Sequence, residues 1–150
     1  MAEYDSTKDT KDHKEKVKKF MNQCIDDLVY RAENHDNSKL ESPEKEYFDE
    51  YTPKLKDTTY GSEDYQECLK GLKVALDHHY KVNSHHPEHY ENGVNGMTLV
   101  DLLELICDWK ASSMRHEDGD INKSIEINKD RFKISDQLVD ILKNTVKEYF

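Results

Sequence analysis

The sequence is short of the residues that build turns, disulfides and membrane spans. Its 150 residues include five glycines and three prolines, too few for hairpin-rich β architecture, whose turns consume both. Its three cysteines, Cys24, Cys68 and Cys107, are an odd set without CxxC spacing. That excludes a disulfide framework; each falls on an apolar helical stripe and reads as a buried free thiol in a reducing compartment. Apolar residues make up only 35%, and no apolar run approaches the ~20 residues needed to cross a bilayer. The N-terminus, MAEYDSTKDTKDHKEK, lacks the apolar stretch of a signal peptide. The expectation is a cytoplasmic protein with no membrane partner. Basic residues are outnumbered too: 22 Lys and Arg face 32 Asp and Glu, for a net charge of −10. No basic stripe interrupts this acidity, which argues against tight duplex nucleic-acid binding. A small phosphorylated ligand stays compatible with it if metal cations supply positive charge locally.

What the chain does have is charge, 36% of residues, and helical periodicity. The length suits a single domain, 1–150, with residues 1 to about 9 frayed. The predicted fold is all-α, a compact bundle of five to six helices. Val17, Phe20, Cys24 and Leu28 recur at helical spacing and predict a first helix of roughly six turns ending near Asn34, with His13 on its buried face. Ser42-Pro43-Glu44 reads as a helix start, with Ser42 as N-cap and Pro43 at the first helical position, and Pro53 as the end of that short helix. Ser62 caps a third helix whose core face runs Tyr65, Cys68, Leu69, Leu72, Ala75, Leu76 and then His79. Residues 83–97 are a loop rich in His, Gly and Asn. Thr98 and Asp101 form a capping pair for a helix over 99–115 that is apolar on most sides and is expected to be the most buried. Helices near 121–132 and after Ser135 complete the set.

Chemistry concentrates in eight histidines, placed as His13, His35-Asp36, His78-His79, His85-His86, His89 and His116. Imidazole and carboxylate together are ligands for Zn, Fe, Mn, Ni or Co. His79 ends a buried face and points inward, and His85-His86 return a few residues later. His89 and His116 read as surface or loop residues. Asp108 lies mid-helix among Leu105, Ile106, Cys107, Trp109 and Ala111, where a buried carboxylate demands a cation or a donor. The competing reading puts Asp101, Glu104, Asp108 and Ser112 on one solvent-facing stripe. His35-Asp36 could likewise simply end a helix. Asp118, Asp120, Asn122 and Ser124 alternate like a calcium loop, but Lys129 stands where that loop needs its glutamate, so no calcium site is assigned.

Taken together, a helix-borne His, then His-Asp, then His and His-His, then a mid-helix Asp resembles the HD-domain superfamily of metal-dependent phosphohydrolases. The nearest local pattern is that of its cyclic-di-nucleotide phosphodiesterase branch: HDxGK is matched by His35-Asp36-Asn37-Ser38-Lys39, and HHE by His85-His86-Pro87-Glu88. The glycine-rich turn and Asp-x-x-Ala segment are matched by Gly93, Gly96 and Asp108-Trp109-Lys110-Ala111. The whole chain also resembles a small bacterial and phage family sharing HDNSK, HHPEHY, MTLVDLLE and DWKA. It departs from the phosphodiesterase branch in lacking the GYP tail and in setting His79 only six residues before His85.

The resemblance implies one or two divalent transition metal ions (Mn, Fe, Ni, Co or Zn) held by His13, His35, Asp36, His79, His85, His86 and Asp108. It implies hydrolysis of a nucleotide phosphomonoester or a cyclic or linear phosphodiester by an activated water. Lys39 would act on the substrate, with Glu88, Lys110 and Arg115 as further substrate contacts. A metal-containing protein that binds a nucleotide signal without turnover is the alternative. The oligomeric state is left open, a homo-oligomer being compatible with the sequence.

Overall fold

A computed structural model describes residues 4–58, 62–115 and 117–150. Apolar residues at helical spacing become six α-helices, and there is no strand among the described residues. They are α1 (Thr7–Asn34), α2 (Glu44–Lys56), α3 (Glu63–Val82), α4 (Leu99–Ser113), α5 (Ile121–Phe132) and α6 (Asp136–Tyr149). Short 3-10 turns at Asn37–Leu40, Pro87–His89 and Gly93–Gly96 bend the connections. The chain is all-α, as its periodicity predicts. No described helix is long and apolar enough to cross a membrane.

Caps fix most starts. Ser62 accepts from the Tyr65 N–H at 3.2 Å, Asp120 from the Asn122 N–H at 2.8 Å and Ser135 from the Leu138 N–H at 3.3 Å. Thr98 and Asp101 close a reciprocal capping box. α2 departs from expectation at both ends. Pro43 is its N-cap residue and Glu44 its first helical residue, and Pro53 lies inside it. A proline forfeits one backbone hydrogen bond. Here Lys54 ties the turn across it, pairing with Glu50 at 2.7 Å and lying 4.6 Å over the Tyr51 ring. Tyr51 in turn seats against Gly71 of α3, where any Cβ would collide with its ring.

Contacts divide the chain into a unit that ends at His35 and a second, Asp36–Phe150. The first is α1, a single 28-residue helix with no buried residue. It is already helical at Thr7, within the stretch expected to fray. Cys24 is therefore exposed and not a core thiol. In the second unit, Ile106, Ile121, Ile125, Ile134, Val139, Leu142 and Val146 form one apolar cluster across α4, α5 and α6. Trp109 and Phe132 pack on it with near-parallel rings, centroids 6.3 Å apart.

α4 is not buried on most sides. Leu105 and Ile106 are, but Leu99, Leu103 and Cys107, one stripe at i, i+4 and i+8, are exposed. The stripe that turns inward carries Asp101 and Glu104. Cys68 on α3 is the buried one of the three thiols.

Candidate metal centre

The core face of α3 steps through Cys68, Leu72 and Ala75 to His79, which is 2% exposed. An imidazole on that line needs partners for both nitrogens. Nδ1 of His79 donates to Glu44 Oε2 at 2.9 Å. Glu44 is wholly buried at the first turn of α2. Such a carboxylate is costly unless donors surround it, and Glu44 also takes His78 Nδ1 at 2.7 Å and Ser38 Oγ at 3.0 Å. Burial opposes its charge, but the hydrogen bonds of His78, Ser38 and His79 outweigh burial and hold its carboxyl below the usual range.

Asp36 sits in the left-handed region, φ 57 and ψ 16, at the entrance of the first 3-10 turn. Among residues with a Cβ, Asp is one of the few that tolerates this backbone. The turn brings Lys39 back onto it: Lys39 Nζ donates to Asp36 Oδ2 at 2.7 Å. The other oxygen, Oδ1, lies 3.3 Å from His79 Nε2 and 3.4 Å from His85 Nε2. Burial works against the Asp36 charge, yet His79, His85 and Lys39 together hold its carboxyl well below the usual carboxylate range.

His85 and His86 are delivered by the loop between α3 and α4, and Asp101 fixes that loop from both ends. Its carboxylate, 1% exposed, accepts from Ser84 Oγ, Tyr90 OH, Thr98 Oγ and the Thr98 N–H, each at 2.8 Å. Gly93 turns at φ 58, and a Cβ on Gly96 would meet the Tyr90 ring at 2.8 Å. Asp101 is thus the helix cap that the sequence predicts, and the anchor of the histidine loop as well. His85, 2% exposed, sets Nδ1 3.2 Å from Glu104 Oε1. His86 sets Nε2 2.9 Å from His79 Nε2.

Nδ1–H of His79 on Glu44 and Nδ1–H of His85 on Glu104 leave each Nε2 as the atom turned toward Asp36 Oδ1. Burial, then His85 and His79, push His86 down to about 3, so it is a neutral imidazole at neutral pH. Three imidazole nitrogens and a carboxylate oxygen thus face one point, an arrangement that a cation among them, a proton or a metal ion, stabilises.

The spacing fits a metal ion. Donors bound at ~2.0–2.2 Å to one ion stand about 2.8–3.6 Å apart at octahedral or tetrahedral angles, and His79 Nε2 to His86 Nε2, Asp36 Oδ1 to His79 Nε2 and Asp36 Oδ1 to His85 Nε2 are 2.9, 3.3 and 3.4 Å. Asp36, His79, His85 and His86 all lie within 4.8 Å of one another through their ligand atoms. Glu44 and Glu104 complete the arrangement in which a carboxylate fixes the distal nitrogen of a metal-binding histidine.

The other predicted residues divide. Asp108 is half-buried on the same inward stripe as Asp101 and Glu104, and its charge raises the basicity of His86. That stripe does not face solvent: Asp101 is buried and the Glu104 side chain is 12% exposed. His35 is the C-cap of α1, one peptide bond before Asp36. His13 is corrected. It is exposed on a continuous helix, 22 residues before His35, a separation of ~33 Å along the axis at 1.5 Å per residue. It cannot share an ion with the residues at that helix's far end. Lys110 is half-buried on α4 and Arg115 exposed beyond it. Glu88 is paired at 2.8 Å with Arg131, a residue the sequence did not single out. His89 is exposed and bonds to the Tyr80 carbonyl, and His116 lies outside the described residues. Glu44 was missed because a glutamate in a first helical turn is ordinarily a solvated cap residue. Only its place three residues before Tyr47-Phe48 hinted at an inward face.

No curated protein and no solved structure matches the chain. A family model, that of the family of unknown function DUF5662, matches residues 2–148, and the chain belongs to that family.

Proposed function

We propose that this chain is a cytoplasmic, metal-dependent phosphohydrolase of the HD-domain kind, acting on a nucleotide phosphomonoester or a cyclic or linear nucleotide phosphodiester. One observation carries the reading: three imidazole nitrogens and a carboxylate oxygen converge at ligand spacing, with Glu44 and Glu104 behind two of the imidazoles. Asp36, His79, His85 and His86 would hold the ion, and the resemblance adds His35 and Asp108. When bound, a divalent transition metal supplies positive charge for phosphate oxygens and a water of lowered pKa.

The chain's own residues account for the rest. Glu44 and Glu104 keep His79 and His85 in the tautomer that presents Nε2. Lys39 carries N–H donors and is no metal ligand. Its hold on Asp36 Oδ2 places an ammonium beside the centre, where it can exchange that oxygen for one on a phosphate as charge builds there. In an acidic chain this local cation, with the ion, supplies the attraction a phosphate needs.

The test is a panel of nucleoside monophosphates and cyclic and linear dinucleotides, assayed with Mn, Fe, Co, Ni and Zn. Release of phosphate or of a mononucleotide, abolished by chelation and restored by metal, is the expected result. A protein that takes up metal yet turns over no member of the panel contradicts the proposal.

A further inference from the structure

Beside His86, the second unit contains a cavity of about 230 Å³. Its walls are of two kinds. Trp109 and Phe132 offer flat apolar surface, and Arg131 lies 4.6 Å over the Phe132 ring. Ser112, Ser124 and Asn128 offer hydrogen-bonding groups. Asn128 spends one N–H on the Ser124 carbonyl at 3.0 Å, which restrains its amide at the cavity wall. Tyr80 closes one side, its ring 5.1 Å from that of His86. Burial and the charge of Glu88 raise the Tyr80 phenol, which keeps it a hydrogen-bond donor.

The volume is below the ~300–1,000 Å³ of a pocket that takes a whole small molecule. It is the size for one planar ring, with the remainder of the molecule extending past His86. Aromatic faces and a guanidinium plane are the surfaces on which heteroaromatic rings stack, and amide and hydroxyl groups read their edges. An aliphatic group would leave the Ser and Asn groups without partners, at a cost in affinity.

We infer that this cavity is a subsite for a planar, hydrogen-bonding ring of the substrate, and that Arg131 is the residue that selects for it. The assignment rests on the proposed hydrolytic centre, to which His86 connects it. It narrows the substrate class to phosphate esters that carry such a ring, against aliphatic phosphates of similar charge. Arg131 is held by Glu88 at 2.8 Å and is more than half exposed, so it can release that carboxylate and cover an incoming ring.

Trp109 is the chain's single tryptophan and lines this cavity, so its emission reports on a ring placed there. The experiment titrates 5′-AMP and glycerol 2-phosphate into the metal-loaded protein and into metal-free protein, with binding followed in parallel by calorimetry. The expected result is a saturable change in Trp109 emission with 5′-AMP and none with glycerol 2-phosphate. Arg131→Ala, an exposed change that spares the core, should weaken 5′-AMP by about tenfold or more, the scale of one charged hydrogen bond, with metal content unchanged. Asn128→Leu should weaken it as well. Calorimetric binding of 5′-AMP that leaves Trp109 silent overturns the inference, as does wild-type affinity in Arg131→Ala. If 5′-AMP fills the cavity with and without metal while no phosphate ester is ever cleaved, the ring subsite stands and the hydrolase reading falls. If glycerol 2-phosphate is cleaved as fast as 5′-AMP, the hydrolase reading stands and the subsite falls.

Discussion

Two regions that meet on α4 are built on opposite principles. In one, Ile106 joins α5 and α6 in a cluster of isoleucine, leucine and valine that excludes water and asks only for volume. In the other, Asp101 and Glu104 turn inward and meet a network of histidine, serine and tyrosine, while Leu99 and Leu103 stay exposed. The apolar region is stabilised by burial at about 25 cal/mol per Å². The polar region gains little net stability, because each hydrogen bond replaces one to water. Glu44, His79, His85 and Asp101 are almost completely buried, a burial of polar groups that stability alone does not account for.

Mutations should separate the two. The largest effect is expected from Asp36→Ala, which removes the oxygen on which His79 and His85 converge and leaves alanine at φ 57. Metal content by elemental analysis and activity should both fall to background, while the far-ultraviolet circular dichroism spectrum stays helical. Lys39→Ala should keep its metal and lose turnover by roughly 10²–10³, the range for one lost transition-state donor. Single-turnover hydrolysis beside metal content checks both halves of that statement.

In the apolar region, Ile125→Ala, at a fully buried position, should cost about 2–5 kcal/mol in urea unfolding. The surviving folded protein should bind metal as the wild type does. Asp101→Ala blurs the comparison usefully, since it is both a cap and the anchor of the histidine loop. It leaves Ser84, Tyr90 and Thr98 without their acceptor, for a loss of about 1–3 kcal/mol, and should weaken metal binding as well. Burial opposes the Asp101 charge, but its hydrogen bonds from Thr98, Tyr90 and Ser84 win and depress its carboxyl. A depressed carboxyl contributes stability above its ordinary pKa and loses it as pH falls through the folded-state value. Unfolding measured from neutral pH into acid should therefore decline less steeply in Asp101→Ala than in wild type.

Local features are legible in the sequence because their causes are local. Ser62, Thr98 and Ser135 cap the helices they were expected to cap, each through a bond to a backbone N–H in the first turn. The inward line ending at His79 followed from spacing alone. What failed depends on partners distant in sequence. Pro53 was expected to stop α2, but Tyr51 packing on Gly71 and the Lys54–Glu50 pair carry the helix past it. The acidic stripe of α4 turns inward only because His85 and the Ser84, Tyr90 and Thr98 groups are there to meet it. His13 satisfied a periodic pattern on a helix with no buried face. Glu44 carries only the faint signal of its spacing to Tyr47-Phe48, and Arg131 none, since each owes its place to a residue more than 30 positions away.

The central claim is that a metal ion, and not a proton, resolves the convergence of Asp36, His79, His85 and His86. Elemental analysis of the wild-type protein, purified without chelator and then dialysed against metal-free buffer, tests it directly. The account predicts a stoichiometric transition metal that survives dialysis and is lost in Glu44→Gln by about 10–100-fold in affinity, the usual cost of disturbing a partner behind a metal-binding histidine. Protein that emerges metal-free and takes up none of Mn, Fe, Co, Ni or Zn on reconstitution would contradict it.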